Sequence, residues 1–252
     1  MNVEFINVSK YFPGPFWGQK VRALGDVSFS VASGEVFALI GANGSGKSTA
    51  LKIILGLLRP STGKVKLGGK PVQFFRRKHQ FGYLPEAPYF YPFLSGDELL
   101  DFYGKLSGLK HKELKEQKKT VFSIVEISQT DTLRKISTYS KGMLQRIGLA
   151  QVLLHKPKLI LLDEPTAGVD PKGVLEFAKT LDLLRKKGLT IIWSSHYLKQ
   201  VESLSDTFAL LHKGMLVYSG KMSAVSDIEE YYLSYLLKDS NSLPESNTSC
   251  VQ

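Results

Sequence analysis

The chain has 252 residues, 43% of them hydrophobic and 22% charged, a balance that suits one globular unit with a sizeable core and room for an inserted lobe. Its apolar runs, Val36 to Ile40, Leu159 to Leu162 and Ile191 to Trp193, are far shorter than the ~20 residues a membrane-crossing helix requires. The formal net charge of +10 attracts nucleic acid, anionic membrane or phosphorylated ligands through the same long-range field, and so chooses none of them. Met1-Asn2-Val3-Glu4-Phe5 lacks the basic stretch and apolar block of a secretory signal, and the single cysteine, Cys250, has no partner for an internal disulfide. A cytosolic location is the expectation.

In chain order, Val3 to Val8 and Val27 to Val31 alternate apolar and polar residues, as half-buried antiparallel strands do. Val36 to Ile40 is continuously apolar and reads as a strand buried on both faces. A glycine-rich turn follows, then a helix expected over Ser48 to Leu58 and ended by Arg59-Pro60, then a short strand over Val65 to Leu67. From about Pro88 to Lys156 the apolar spacing is helical, at Leu99, Leu100, Phe102 and Tyr103, then Val121, Phe122, Val125 and Ile127, then Leu144, Ile147 and Val152. Lysines between Lys105 and Lys119 alternate with Leu106, Leu109 and Leu114, as on a helix with one wet face. Beyond this lobe come a buried strand over Lys158 to Asp163, a helix over Val174 to Arg185, a buried strand over Leu189 to Ser194, and a hairpin over Phe208 to Tyr218 turning at Lys213-Gly214. Strand–helix alternation implies a parallel sheet. The polar residues from Asp239 onward are expected to form a disordered tail, leaving 1–238 as one domain with a helical subdomain inserted over about 88–156.

Gly41-Ala42-Asn43-Gly44-Ser45-Gly46-Lys47-Ser48 fits the G-x-x-x-x-G-K-[ST] phosphate loop in its required setting, a buried strand before it and a helix opening at Ser48-Thr49 after it. The glycines let successive N–H groups face an anion, and the helix adds the positive end of its dipole. Lys47 would reach the terminal phosphates and Ser48 would offer a hydroxyl to Mg2+. Leu159 to Leu162 then delivers Asp163 and Glu164 to the carboxyl edge of the sheet, where open α/β sheets bind ligands. Asp163 is a natural Mg2+ partner through a metal-bound water. Glu164, pointing differently, can orient or deprotonate the water that attacks a γ-phosphate. On its own, the same acid pair would also serve to cap the next helix. His196 follows the next buried strand at the same edge, within reach of a γ-phosphate.

Between the phosphate loop and the acidic strand stands Tyr139-Ser140-Lys141-Gly142-Met143-Leu144-Gln145-Arg146. Here the chain resembles the ABC ATPase family, whose signature is usually written L-S-G-G-Q. Ala167-Gly168-Val169-Asp170 is similar to that family's D-loop, and His196 stands at its switch position. The resemblance covers about Val3 to Tyr218 and implies a P-loop NTPase core, mostly parallel, with an antiparallel β subdomain and the inserted helical subdomain. It implies ATP and Mg2+ as ligands, with Ser140 and Gly142 contacting ATP held by a second ATPase subunit, so that two subunits close head-to-tail over two nucleotides. It also implies separate transmembrane permease subunits. Adenine would stack on Phe12, by its spacing from Lys10, or on Tyr11. The sequence departs from the family at Lys141 and Met143-Leu144, and at Glu86, which stands where the family has its Q-loop glutamine and could ligate Mg2+. Tyr83-Leu84-Pro85-Glu86 is similar to the branch of single-domain ATPases that serve multi-subunit ABC-2-type exporters, and Tyr89, Phe90, Tyr91 and Phe93 fall where that family receives a helix of the membrane subunit. Burial in the helical lobe explains those aromatics equally well. The competing classes are a soluble ABC ATPase acting on ribosome or nucleic acid, which in that family has tandem domains or long inserts that do not fit this length, and a GTPase, for which no N-K-x-D string is present.

Overall fold

The structure, a computed structural model, describes residues 1–14, 18–75 and 80–241. Two sheets and a set of helices follow one another along the chain. Strands β1 (Val3–Pro13) and β2 (Lys20–Val31) form an antiparallel ribbon, and β3 (Val36–Ile40) enters the core. Helix α1 (Lys47–Ile54) is followed by β4 (Thr62–Leu67), β5 (Lys70–Pro71) and β6 (Phe81–Leu84). The helical lobe comprises α2 (Gly96–Leu106), α3 (His111–Ile124), the single turn α4 (Gln129–Thr132) and α5 (Lys141–Leu153). The chain returns through β7 (Leu159–Leu162), α6 (Pro171–Lys186), β8 (Thr190–Ser195), α7 (Leu198–Leu204), β9 (Thr207–His212) and β10 (Met215–Lys221), and α8 (Ile228–Asn241) follows.

One sheet has the order β10-β9-β3-β8-β7-β6, parallel throughout except for β10 at its edge; the other, β2-β1-β4-β5, is antiparallel. The alternation along β3 shows why its sequence is apolar without a break. Val36, Ala38 and Ile40 face the core shared with α2, α3, α5 and α6, whereas Phe37 and Leu39 face the core shared with α1 and the antiparallel sheet. A strand covered on both sides has no polar face to display. Phe5, Phe29 and Phe37 stack in a row, with centroids 4.7 and 5.1 Å apart, and join the two sheets.

Several expected boundaries move for local reasons. Helix α1 stops at Ile54 rather than Leu58 because Gly56, with φ +70°, takes the left-handed position after the helix, and Gly56 N–H and Leu57 N–H close on the carbonyls of Ile53 and Lys52. The ribbon strands run longer than their alternating cores, since β1 continues to Pro13 and β2 begins at Lys20. The turn at Lys213-Gly214 has positive φ at both residues, +46° and +78°, the handedness that a two-residue hairpin needs. Residues 239–241 belong to α8 instead of a disordered tail; the rest of the expected tail, with Cys250, lies outside the described residues. The helix is sequence-invisible because its contacts are tertiary: Ile228 is fully buried and Tyr231 and Tyr232 pack on the main core.

Helix α5 lies close on β6. A Cβ on Gly82 would come within 2.2 Å of Val152 Cγ1 and 3.1 Å of Val152 O. Gly82→Ala should therefore destabilise by about 1–3 kcal/mol through overpacking. In urea unfolding, Gly82→Ala combined with Val152→Ala should cost less than the sum of the two single changes; simple additivity would contradict this packing.

Candidate functional site

Three loops meet at the carboxyl edge of the parallel sheet, since residues 41–46 follow β3, Asp163-Glu164 follows β7 and His196 follows β8. Parallel register brings them together: Leu162 of β7 lies opposite Trp193 of β8, so the residues just beyond are neighbours.

The glycine loop is shaped by its contacts. A Cβ at Gly41, φ +151°, would fall 2.2 Å from the carbonyl oxygen of Leu211, and one at Gly46, φ +105°, would fall 2.7 Å from that of Ala23. Neither position admits another residue without moving backbone. The start of α1 has no side-chain cap and no acid in its first turn, so its N–H groups and dipole are left to an outside anion. Ser45 Oγ is buried with no hydrogen-bond partner among the described residues, a second vacancy for an acceptor or donor on a ligand. The cleft in front measures about 300 Å³ and is lined by Asn43, Gly44, Ser45, Gly46, Lys47, Ser48, Thr49, Ala23, Glu86 and Glu164. It fits a polyphosphate chain and little more.

Lys47 is folded back into this cleft. Its Nζ donates to the carbonyls of Gly41 (2.6 Å) and Ala42 (3.3 Å) and stands 3.1 Å from Glu164 Oε1, with both side chains only 6% exposed. The contact to Oε1 is an ion pair without hydrogen-bond alignment, which leaves that oxygen otherwise unpartnered. Glu164 Oε2 lies 2.8 Å from His196 Nδ1, so one carboxylate joins Lys47 to His196. Glu164 itself has φ +46°, uncommon for a residue with a Cβ, and its N–H is held by Ser194 Oγ at 2.9 Å. Ser194 donates its own proton to Asp163 Oδ1 at 2.7 Å, while Ser48 Oγ donates to the same oxygen at 3.1 Å. Tyr83, at 3.5 Å from Asp163 Oδ2, has its phenol pushed up to about 12 by burial and then by the Asp163 charge and hydrogen bond.

Lys47, Ser48, Asp163, Glu164, His196 and the glycine loop thus converge, as their motifs imply, and Glu86 joins them at the cleft. The other candidates do not. Tyr11 and Phe12 lie on β1 opposite Arg22 and Val21, further along the ribbon than the cleft residue Ala23. The Lys10 ammonium sits 5.1 Å from the Phe12 ring centroid. Ser140 caps α5, its Oγ accepting from Met143 N–H at 3.2 Å, and Gly142 stands near Val169 (3.7 Å to an added Cβ); neither lines the cleft of its own chain. Lys141 bends over Gly168, where an added Cβ would meet its Nζ at 2.5 Å, and Asp170 caps α6 by accepting from Gly173 N–H at 2.9 Å. Sequence reasoning passed over Ser194 and Tyr83. The strand register pointed to Ser194, one residue past the Leu162–Trp193 pair; Tyr83, in a strand read only as part of a motif, gave no such signal.

A glycine loop between strand and helix, facing an acid pair and a histidine across a parallel sheet edge, defines a nucleotide-binding P-loop cassette. The comparisons narrow the class. Residues 24–167 match the family model described as "ABC transporter". The chain is 40% identical over 91% of its length to an uncharacterised ABC transporter ATP-binding protein of Synechocystis sp., and 36% identical over 81% to the linearmycin resistance ATP-binding protein LnrL of Bacillus subtilis. It is 32% identical over 87% to the bacitracin transport ATP-binding protein BcrA of Bacillus licheniformis. It covers 66%, 66% and 72% of those proteins, so it spans about two thirds of their length. A solved ATP-binding subunit of an ABC transporter superposes with a TM-score of 0.78 at 29% identity, covering 94% of this chain and all of that one. CbiO1 of Clostridium perfringens, part of the cbiONQ complex, also superposes at 0.78, with 25% identity, 95% of this chain and 94% of that one. The chain belongs to the ABC transporter family, as one of its ATP-binding, ATP-hydrolysing members.

Ser194→Ala removes the group that holds both acids. It should lower ATP turnover about 10–100-fold, the usual effect of losing a partner that orients a ligand-binding side chain, and lower the melting temperature by a few degrees because the buried Glu164 N–H loses its acceptor. Turnover equal to wild type would show that Asp163 and Glu164 are oriented without it. The raised Tyr83 phenol predicts a pH effect of fixed sign: below pH 10 it is neutral folded or unfolded, and between pH 10 and about 12 only the unfolded chain ionises there, so its contribution is lost as pH rises. Unfolding free energy should fall more steeply over that window in wild type than in Tyr83→Phe; parallel curves would contradict the assignment.

Proposed function

We propose that this chain is the energy-coupling ATPase of a membrane exporter, that it binds MgATP in the cleft beneath Lys47, and that two copies close head-to-tail over two nucleotides. The observation that carries the reading is the suspended state of Glu164, held by Lys47 on one oxygen and His196 on the other. A γ-phosphate entering the cleft offers Lys47 a stronger, doubly charged partner. Glu164 is then released from the lysine, with His196 still on Oε2 to fix its orientation, and is left to orient and deprotonate the attacking water. His196 Nδ1 is occupied by Glu164, so Nε2 is the nitrogen available to the γ-phosphate.

Ser48 and Asp163 supply hard oxygen donors that already share a hydrogen bond, and among the described residues no cluster of three or more His, Cys, Asp or Glu could hold a metal alone. That set suits Mg2+, which keeps water and phosphate oxygens in its shell. When bound, Mg2+ neutralises charge on the β- and γ-phosphates. Glu86, exposed at the rim, can join that shell. The adenine lies against Phe12, with Tyr11 as the alternative, and the capped start of α5 at Ser140 and Gly142 meets the nucleotide of the opposite copy.

Among the described residues no helix is long and apolar enough to cross a membrane. In this reading separate permease subunits carry the substrate and this chain sits at the cytosolic face. Tyr89, Tyr91 and Phe93 are exposed by 83%, 42% and 66%, and offer an apolar surface for a permease helix. The names of LnrL and BcrA, a resistance and an antibiotic-transport protein, support export as the direction. Nothing in the fold favours nucleic acid as a partner over this reading.

Glu164→Gln keeps the shape of the side chain and removes its basicity. It should reduce turnover by about 10²–10⁴-fold, the range for loss of a general base, and should trap an ATP-dependent dimer in size-exclusion chromatography with light scattering. A variant that stays monomeric with ATP and hydrolyses at the wild-type rate would overturn both the role of Glu164 and the two-copy sandwich.

A further inference from the structure

Gln145 is a polar side chain buried to 3% exposure on α5, between the capping Ser140 and Gly148. Its Nε2 donates to the main-chain carbonyl of Glu86 at 3.2 Å, which fixes the orientation of the amide, because a carbonyl can only accept. Its Oε1 has no hydrogen-bond partner among the described residues. One turn on, Gly148 lets the helix close on the same segment: a Cβ there would be 2.6 Å from Leu84 Cδ1 and 3.3 Å from Phe90 Cζ. Helix α5 is therefore docked on residues 84–90 by one amide and one glycine contact. That segment has two further faces. The Glu86 side chain lines the phosphate cleft with Ser48 and Glu164, and Tyr89, Tyr91 and Phe93 just beyond are exposed.

A buried acceptor without a donor is a cost that a leucine or methionine at this position would avoid. A glutamine at this position makes sense where a second arrangement supplies the donor. We propose that Gln145 is a positioning residue linking two surfaces: it ties the main chain at Glu86 to the Ser140 end of α5, and its Oε1 gains a donor only in the nucleotide-closed arrangement. Movement of residues 85–93 then reaches Ser140 through one side chain, about one and a half turns of helix away. This rests on the reading that Ser140 completes the nucleotide site of a second copy. The amide is uncharged, so the link needs no proton and no counter-ion, and it operates at any pH at which the chain folds.

The test uses the full chain carrying Glu164→Gln as parent, with Gln145→Met, which keeps length and apolar volume but neither donor nor acceptor, and Gln145→Glu, which keeps the Oε1 acceptor and replaces the donor with a second, charged acceptor. Dimerisation with ATP and Mg2+ is followed by analytical ultracentrifugation, ATP affinity of the monomer by calorimetry, and stability by thermal melting. The expected result is a Met variant that melts at or above the parent, binds ATP as monomer within twofold of it, and dimerises at least tenfold more weakly, with the Glu variant also weakened in dimerisation. A Met variant that dimerises like the parent overturns the proposal, as does weaker dimerisation that merely tracks a fall in melting temperature, which would make Gln145 a packing residue. If both variants fail to fold, its role is structural and the proposal falls. A parent that stays monomeric with ATP removes the sandwich reading itself and is thereby told apart from failure of the Gln145 link alone.

Discussion

The structure turns on a buried ion pair between Lys47 and Glu164, which bridges the start of α1 and the loop after β7 at the floor of the cleft. Burying two charges is costly, and a pair of this kind contributes little net stability; removing one partner costs about 3–5 kcal/mol because the other is left unpaired. Its significance is geometric. It ties the two loops together and, in the proposed function, holds the carboxylate until a stronger anion claims the lysine. Every neighbouring contact supports that poise: Ser194 holds the Glu164 backbone in its left-handed conformation, His196 holds the second oxygen, and the carbonyls of Gly41 and Ala42 receive the ammonium.

The parallel sheet makes this possible at low entropic cost. Strands β3, β7 and β8 are adjacent, buried on both faces, and end at the same edge, so three sequence-distant loops need no ordering of their own to meet. The helical lobe then hangs between β6 and β7, attached through α5. It carries Ser140 away from the cleft of its own chain.

Much of this was legible in the sequence, for physical reasons that can be named. Uninterrupted apolar runs gave β3, β7 and β8, because a doubly covered strand cannot alternate; the G-x-x-x-x-G-K-S loop and the Asp163-Glu164 pair marked two of the loops that meet, because each directly follows one of those strands at the same edge of a parallel sheet. Other features depend on contacts distant in sequence. The early end of α1 depends on Gly56 adopting a left-handed turn, and α8 depends on Ile228, Tyr231 and Tyr232 finding the core, neither of which periodicity reports. Ser194 and Gln145 look like ordinary polar residues until register and burial show that one bonds the Asp163 carboxylate and the Glu164 main chain and the other the main chain at Glu86. The departures at Lys141 and Glu86 acquire a setting as well: the lysine lies over Gly168 of the next loop, and the glutamate stands at the rim of the cleft.

The central claim is that the nucleotide displaces Glu164 from Lys47 and that a second copy completes the site. A crystal structure of the Glu164→Gln chain with ATP and Mg2+ tests it most directly. The account predicts the γ-phosphate seated against Lys47 in place of residue 164, with Ser140 and Gly142 of another copy in hydrogen-bond contact with it. Nucleotide bound with Lys47 still turned onto the residue-164 side chain, and no second chain at the phosphates, would contradict it.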